Sequence, residues 1–181
     1  QLSVAQKLRH DMKERRTPNT RPSEAENTGT SIYEENLEEI VLAACLLEQD
    51  TLTAVLRQLR PEMFYMEKHR LIFSTIGSLY AQGTPIDILT VTEHLRRQGQ
   101  LEEAGGAFYI TRLSGRLAST AHTDTHCALL FEYYVRRELA RRIMPLMADV
   151  TNVMADVFDI IVSMQHVLEA LCENSPLENH L

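Results

Sequence analysis

The chain has 181 residues, with 18 Lys and Arg against 25 Asp and Glu, and its formal net charge of −7 argues against nucleic acid as a direct partner. The length accommodates one folded body and an appendage. The scarcity of glycine and proline predicts a helical protein, and no apolar run is long enough to span a membrane. The widely separated Cys45, Cys127 and Cys172 predict reduced thiols and a cytoplasmic location.

Residues 1–36 are predicted to form an arm outside the folded body. Within the arm, VAQKLRHDMKERR at residues 4–16 has the spacing of a short basic amphipathic helix. Residues 17–31 are polar and contain two prolines and a glycine, a composition typical of a disordered linker. The basic segment is interpreted as a solvated tail, and contact with phosphate groups is the alternative.

Residues 37–120 are predicted to form a small body of several helices. The first helix carries apolar residues at helical spacing from Leu37, and the second has Asp50 as its expected N-cap and ends before Pro61. The stretch MFYMEKHRLIF, residues 63–73, opens a third helix that should end at a glycine ten residues further on. Two aromatic residues just before that helix are expected to pack back onto it.

Capping residues and glycines predict where the remaining helices of the body begin and end. Thr90 and Glu93 have the spacing of a capping box, and the helix that they open should stop at Gly99. The pair Gly105-Gly106 is expected to supply unusual backbone angles before a short helix at residues 107–114. The pair does not predict a phosphate-binding loop, because no Lys-Ser/Thr follows it and no strand precedes it.

Three histidines raise the question of catalysis or metal binding. His69 lies on the apolar stripe of the third helix, where a general base would need a partner within hydrogen-bond reach, and no Ser, Cys or paired carboxylate occurs at a matching spacing. His122 and His126 are four residues apart, but the third and fourth ligands of a metal site are not apparent. We therefore predict a structural role for His69 and no catalytic, cofactor or metal site in this chain.

Residues 121–173 are predicted to form a hairpin of two long helices, followed by a tail at residues 174–181. The second helix should begin after Asp156 as its N-cap, and Pro145 is a possible kink in the first. Each helix has an apolar stripe, and the second carries a further apolar pair outside its stripe, which requires another surface because exposed apolar groups are costly. The predicted oligomer interface comprises Leu139, Ile143, Phe158, Ile161, Val162, Met164 and Leu168.

Three arginines cluster on the first helix of the hairpin, opposite its apolar stripe. They are Arg137, Arg141 and Arg142, and Glu138 is placed to pair with Arg142 one turn away. Four charges of mixed sign on an acidic chain indicate a solvated helix face. A nucleic-acid site is the weaker alternative, and the three arginines also remain a possible partner surface.

The order of several short motifs resembles a known family over residues 36–173. The body contains Phe64-Tyr65 followed by HRLIF, then GTPID, then GQLEEAGG, and the hairpin contains EYYVRRELARRI and DVFDIIVSMQHVLEAL. Together these motifs resemble the N-terminal domain of the DnaB-family bacterial replicative DNA helicase. The sequence departs from the family pattern at Ala43, Met66, Pro145 and the run AHTDTHCA, which indicates a diverged member with altered hairpin geometry.

The resemblance implies an all-α fold in which a small helical body is followed by a protruding two-helix hairpin. In that family these domains pair through their hairpins, form a collar on a hexameric ring and receive primase. The ATP-driven motor is a separate C-terminal domain that uses magnesium, and this chain lacks the GxxxxGK[ST] motif of such a motor. DNA would therefore be contacted only indirectly, through the parent helicase.

The leading hypothesis from the sequence is a non-catalytic assembly and partner-recruiting domain of a replicative helicase. Its partners would be other copies of the chain, primase and the helicase motor domain, with no membrane involved. One alternative is a stand-alone regulator that joins a helicase ring as a subunit without a motor. Another is the helicase-binding domain of a primase, whose fold is related in outline.

Overall fold

The computed structural model describes residues 33–116 and 121–173, so the predictions for the N-terminal arm before residue 33 and for the tail lie outside the described residues. All regular structure in the described residues is helical, which confirms the predicted all-α fold. The α-helices are α1 (Glu35–Leu47), α2 (Gln49–Gln58), α3 (Glu67–Ala81), α4 (Ile88–Arg97), α5 (Gly106–Leu113), α6 (Thr123–Val150) and α7 (Val157–Glu173), with 3₁₀ turns at Pro61–Met63 and Ser114–Arg116.

Helix α1 forms the centre of the body, and most of its residues are buried. It packs against α2, α3, α5 and the first half of α6. The largest side chains of the core come from the entry to α3, from α3 itself and from the helices that follow it; among them are Phe64, Phe73, Ile76, Leu95, Ile110 and Leu130. Phe64 packs back onto α3 as predicted, because its ring centroid lies 4.8 Å from that of Phe73.

The structure corrects the predicted start of α4. Its N-cap is Asp87, whose Oδ1 accepts a hydrogen bond from the Thr90 backbone nitrogen at 2.7 Å, while the Asp87 backbone nitrogen donates to Thr90 Oγ1 at 2.9 Å. The capping box therefore lies three residues earlier than the predicted pair of Thr90 and Glu93. Glu93 instead forms ion pairs with Arg96 and Arg97 one turn along the helix.

The prediction for the start of α2 was also wrong. The helix begins at Gln49 and Glu48 occupies the N-cap position, so Asp50 lies inside the first turn. A carboxylate there still interacts favourably with the helix dipole. Asp156 is confirmed as the cap of α7, since its Oδ1 accepts a hydrogen bond from the Phe158 backbone nitrogen at 2.7 Å.

The glycine pair before α5 adopts the left-handed backbone that the sequence predicts. Gly105 has a φ of 95° and Gly106 a φ of 78°. Position 105 requires glycine for two reasons, its left-handed backbone and a lack of space. A Cβ built there would lie 2.9 Å from the Cγ and Cδ1 atoms of Tyr109. Glycine at position 105 thus lets the backbone pass close to the ring of Tyr109, which lies in the helix that follows.

Helices α6 and α7 form the hairpin, and α7 packs chiefly along α6. Buried residues of α6 are confined to its first half, where Cys127, Leu130 and Tyr134 pack on the body, and its second half is half-buried or exposed. The helix continues through Pro145 without a break in its assignment. Among the helices of the described ranges, none has the combination of length and apolar character needed to cross a membrane.

Candidate functional site

A buried polar network lies where α1, α3 and α5 meet, and His69 is at its centre. The imidazole is fully buried, with Nδ1 2.6 Å from Glu38 Oε2 and Nε2 2.5 Å from the Tyr109 hydroxyl. The Tyr109 hydroxyl in turn donates to Glu39 Oε1 at 3.0 Å. Each ring nitrogen of His69 therefore has a polar partner within hydrogen-bond distance, and which nitrogen donates depends on the tautomer of the ring.

Glu38 does more than hold the histidine. Its two carboxylate oxygens accept hydrogen bonds from the backbone nitrogens of Tyr65 and Met66, at 2.5 and 3.3 Å. These two residues immediately precede α3, so a carboxylate from α1 caps the entry to α3 from outside the helix. The network therefore connects the central helix to the start of the helix that carries His69.

The Glu39 side of the network is balanced by positive charges. Arg112 Nη2 donates to Glu39 Oε1 at 3.2 Å. Arg116 Nε lies 2.7 Å from Glu39 Oε2, but the two groups are not aligned for a hydrogen bond. The contact between Arg116 and Glu39 is therefore electrostatic. Two cations lie over the Tyr109 ring, with Lys68 Nζ 4.2 Å and the Arg112 guanidinium 5.0 Å from its centroid. Burial and the Glu39 carboxylate raise the pKa of the Tyr109 hydroxyl.

The arrangement of Glu35, Glu39 and His69 resembles a metal-ligand group, since one ligand atom of each lies within 4.8 Å of the others. The chain itself already supplies partners to these atoms. Lys68 Nζ lies 2.8 Å from Glu35 Oε1, and this hydrogen bond and the charge of Lys68 lower the pKa of the Glu35 carboxyl group. Glu39 and His69 have the partners described above. The contacts of this network join α1, α3 and α5, and the structural role of His69 stays a prediction.

The arginine cluster on α6 is divided by the structure into two kinds of residue. Arg137 is half-buried, donates from Nη2 to the Met63 carbonyl oxygen at 2.6 Å and places its guanidinium 5.6 Å from the Tyr65 ring centroid. The prediction that Arg137 belongs to a solvated face was wrong, because the entry to α3 passes beside it. Burial lowers the pKa of Arg137.

Arg141 and Arg142 behave as the sequence predicts. Both pair with Glu138, at 2.7 Å each, and these contacts lower the pKa of the Glu138 carboxyl group, with Arg141 contributing most. An exposed pair of this kind contributes little to stability. Of the three arginines, only Arg141 and Arg142 are therefore placed to serve as part of a partner surface.

The predicted oligomer interface falls into two groups in the hairpin. Phe158, Ile161, Val162 and Leu168 are exposed on α7, with Phe158 77% exposed. The remaining three positions, Leu139, Ile143 and Met164, are half-buried. Met164 lies one turn from the buried Ile160, so its side chain is on the more covered side of α7. Only the first group is available to a second molecule.

The fold and these surfaces define an all-helical domain in which a small body carries a two-helix hairpin with exposed apolar side chains. A family model described as the DnaB-like helicase N terminal domain matches residues 30–132. The chain therefore belongs to the DnaB-like helicase N-terminal domain family, which confirms the predicted resemblance.

Relatives and solved structures agree with this assignment. The chain is similar to the replicative DNA helicase DnaB of Rhodothermus marinus, with 43% identity over 101 residues that cover 56% of this chain and 11% of that protein. It is also similar to a probable replicative DNA helicase of Trieres chinensis, with 32% identity over 120 residues that cover 63% of this chain and 26% of that protein. The chain thus spans about a quarter or less of the length of these relatives.

Two solved structures share the fold. The crystal structure of the N-terminal domain of DnaB helicase from Mycobacterium tuberculosis has a TM-score of 0.68 and 28% identity, covering 76% of this chain and 96% of that one. A DnaB-like replicative helicase whose structure was described together with its interactions with primase has a TM-score of 0.61 and 25% identity, covering 74% of this chain and 31% of that one.

Proposed function

We propose that this chain is an assembly domain of a replicative helicase and that it associates with other copies of itself through the exposed apolar face of α7. The proposal is carried by one observation, namely that Phe158, Ile161, Val162 and Leu168 are all exposed on a single helix. Fully burying such side chains is worth roughly 1.5–3 kcal/mol each, so leaving four of them in water is costly.

In this proposal, paired domains form a collar on a helicase ring and primase docks on the collar. The similarity to a helicase whose interactions with primase have been described supports primase as the partner. The parent protein would unwind DNA in a separate motor domain that uses ATP and magnesium, and this chain would contact DNA only through it. The match to a helicase family model and to a replicative helicase favours this proposal over a primase domain.

The test of self-association uses the double substitution Phe158→Glu and Val162→Glu in the full chain. Two charges on the apolar face of α7 should shift the protein toward the monomer in sedimentation velocity experiments across a concentration series, because burying an unpaired carboxylate opposes association. The matched control is Phe108→Glu, which changes a body residue that is 81% exposed, and it should leave the mass unchanged. The interface is refuted if the double variant keeps the mass of the parent chain.

A further inference from the structure

We propose that residues 4–16 of the N-terminal arm dock on the end of the chain's own hairpin. The docking surface, here called the hairpin tip, comprises α6 from Met144 to its end at Val150, the connection at residues 151–156 and the first turn of α7. The occupant is the segment VAQKLRHDMKERR, for which the sequence predicts a basic amphipathic helix. This proposal does not require self-association, so it can be tested separately from the function proposed above.

The hairpin tip carries apolar side chains that contact little of the chain. Met144, Met147, Val153 and Met154 are all exposed, with Val153 97% exposed and Met154 92% exposed. Methionine side chains adapt their shape to the partner and are common on surfaces that receive amphipathic helices. In the arm, Val4, Leu8 and Met12 recur every four residues, so a helix there would present one apolar stripe to such a surface.

The charge of the hairpin tip is negative and is not compensated locally. From residue 143 to residue 173 the chain contains five acidic residues and no lysine or arginine. The tip itself has Asp149, Asp156 and Asp159, all exposed, and no ion pair that the described residues form with one another involves them. The other half of α6 differs, because Glu132 and Glu138 there are paired with arginines.

The arm has the complementary charge. Residues 4–16 contain five lysines and arginines against two acidic residues, whereas the chain as a whole is negative. A basic amphipathic segment and an acidic apolar surface attract one another both by charge and by apolar contact. Elsewhere on the described residues, Glu93 of α4 and Glu132 and Glu138 in the first half of α6 are already paired with arginines.

The point where the arm joins the body puts the hairpin tip within reach. The Tyr33 ring stacks on the Tyr65 ring with centroids 4.0 Å apart, and Arg137 of α6 lies over the same Tyr65 ring. From Arg137 to Asp149 the helix rises about 18 Å, whereas a chain segment as long as residues 17–32 spans at most about 55 Å. A segment tethered at this distance has a high effective concentration at its own hairpin.

The composition of the chain supplies a sharp test. The chain has only three lysines, Lys7 and Lys13 in the arm and Lys68 in the body, so zero-length carbodiimide cross-links between lysines and carboxylates can be assigned by mass spectrometry. The Lys68 and Glu35 pair, with 2.8 Å between Nζ and Oε1, is an internal positive control. We expect Lys7 and Lys13 of the full chain at low salt to be linked mainly to the acidic residues of the hairpin tip.

Two variants of the full chain separate docking from chance encounters. Replacing Arg9, Arg15 and Arg16 with Glu keeps both reporter lysines and should reduce the arm cross-links several-fold, as should raised salt. Replacing Val153 and Met154 with Ser keeps every carboxylate of the hairpin tip and should also reduce them. Phe108→Ser, on the exposed surface of the body, is the matched control and should leave the yield unchanged.

Cross-linking a mixture of ¹⁴N- and ¹⁵N-labelled chains shows which hairpin is occupied. In an equal mixture, linked peptides of a single isotope only support docking on the same chain, and a share of mixed pairs of about one half, as random pairing between chains gives, overturns it. The proposal is also overturned if the Lys68 link forms while Lys7 and Lys13 are linked nowhere, or mainly to acidic residues of the body. Sedimentation of the same samples reports self-association independently, so either proposal can fail while the other stands.

Discussion

Removing the hydroxyl group of Tyr109 tests whether the buried network stabilises the fold. That hydroxyl is the only contact in the network that joins His69 to Glu39. The substitution Tyr109→Phe keeps the aromatic ring that contacts Lys68 and Arg112 and leaves no large cavity. Its effect therefore measures the hydrogen bonds rather than the packing.

The expected loss of stability follows from the hydrogen bonds that Glu39 and His69 retain in the Tyr109→Phe variant. Glu39 Oε1 still has Arg112 at 3.2 Å, whereas Nε2 of the fully buried His69 loses its partner. A buried polar group left without a partner costs about 1–3 kcal/mol, so we expect the free energy of unfolding to fall by about 2 kcal/mol. For a urea dependence of about 2 kcal/mol per molar, the midpoint should fall by about 1 M.

The assay is equilibrium urea unfolding followed by circular dichroism, with Tyr80→Phe as the matched control. The Tyr80 hydroxyl lies on the exposed surface, 3.2 Å from Thr53 Oγ1, and its loss should change stability by no more than about 0.5 kcal/mol. If the two variants unfold at the same urea concentration, the network does not stabilise the fold in the way described here. His69→Ala should be destabilised further, by about 2–5 kcal/mol, because it also leaves a cavity and deprives Glu38 of a partner.

Other perturbations test the base of the hairpin and the glycine pair. Arg137→Ala should lower the free energy of unfolding by about 1–2 kcal/mol through the loss of its hydrogen bond to a backbone carbonyl, and the exposed Arg141→Ala should leave the urea midpoint unchanged. Gly105→Ala should cost more than the roughly 1–2 kcal/mol of a left-handed alanine because its Cβ meets the Tyr109 ring, whereas Gly83→Ala, with a φ of 66° and open space, should cost only that amount. Equal losses at the two glycines would refute the steric account.

The helices of the body were predictable because their signals are local. Glycines with positive φ lie just beyond the ends of α3 and α4, at Gly83 and Gly99, and apolar spacing fixes which face of each helix is buried. The capping box was misplaced because two overlapping patterns compete, and both contain Thr90. Sequence spacing alone does not say that Asp87 is extended, with a φ of −150° and a ψ of 176°, and so takes the N-cap position.

The buried network was beyond prediction because its contacts are distant in sequence. Glu38 and His69 are 31 residues apart, and Glu39 and Tyr109 are 70 apart. The helical spacing that predicts the apolar face of α1 would normally place the adjacent carboxylates of Glu38 and Glu39 toward solvent. The available signal was that Glu38 and Glu39 interrupt the long apolar run of α1, which requires partners from elsewhere when the helix is central.

Helical spacing misled the interpretation of Arg137, whose contacts show how the body and the hairpin are connected. A helical wheel separates apolar from charged faces, but it does not show that the segment from Met63 to Met66 passes beside α6. That segment is held from one side by Glu38, which accepts from the backbone nitrogens of Tyr65 and Met66, and from the other by Arg137, which donates to the Met63 carbonyl oxygen. The buried network and the base of the hairpin thus share one short piece of backbone. A change in the packing of His69 therefore reaches, through Glu38, the same segment that contacts Arg137 of the hairpin.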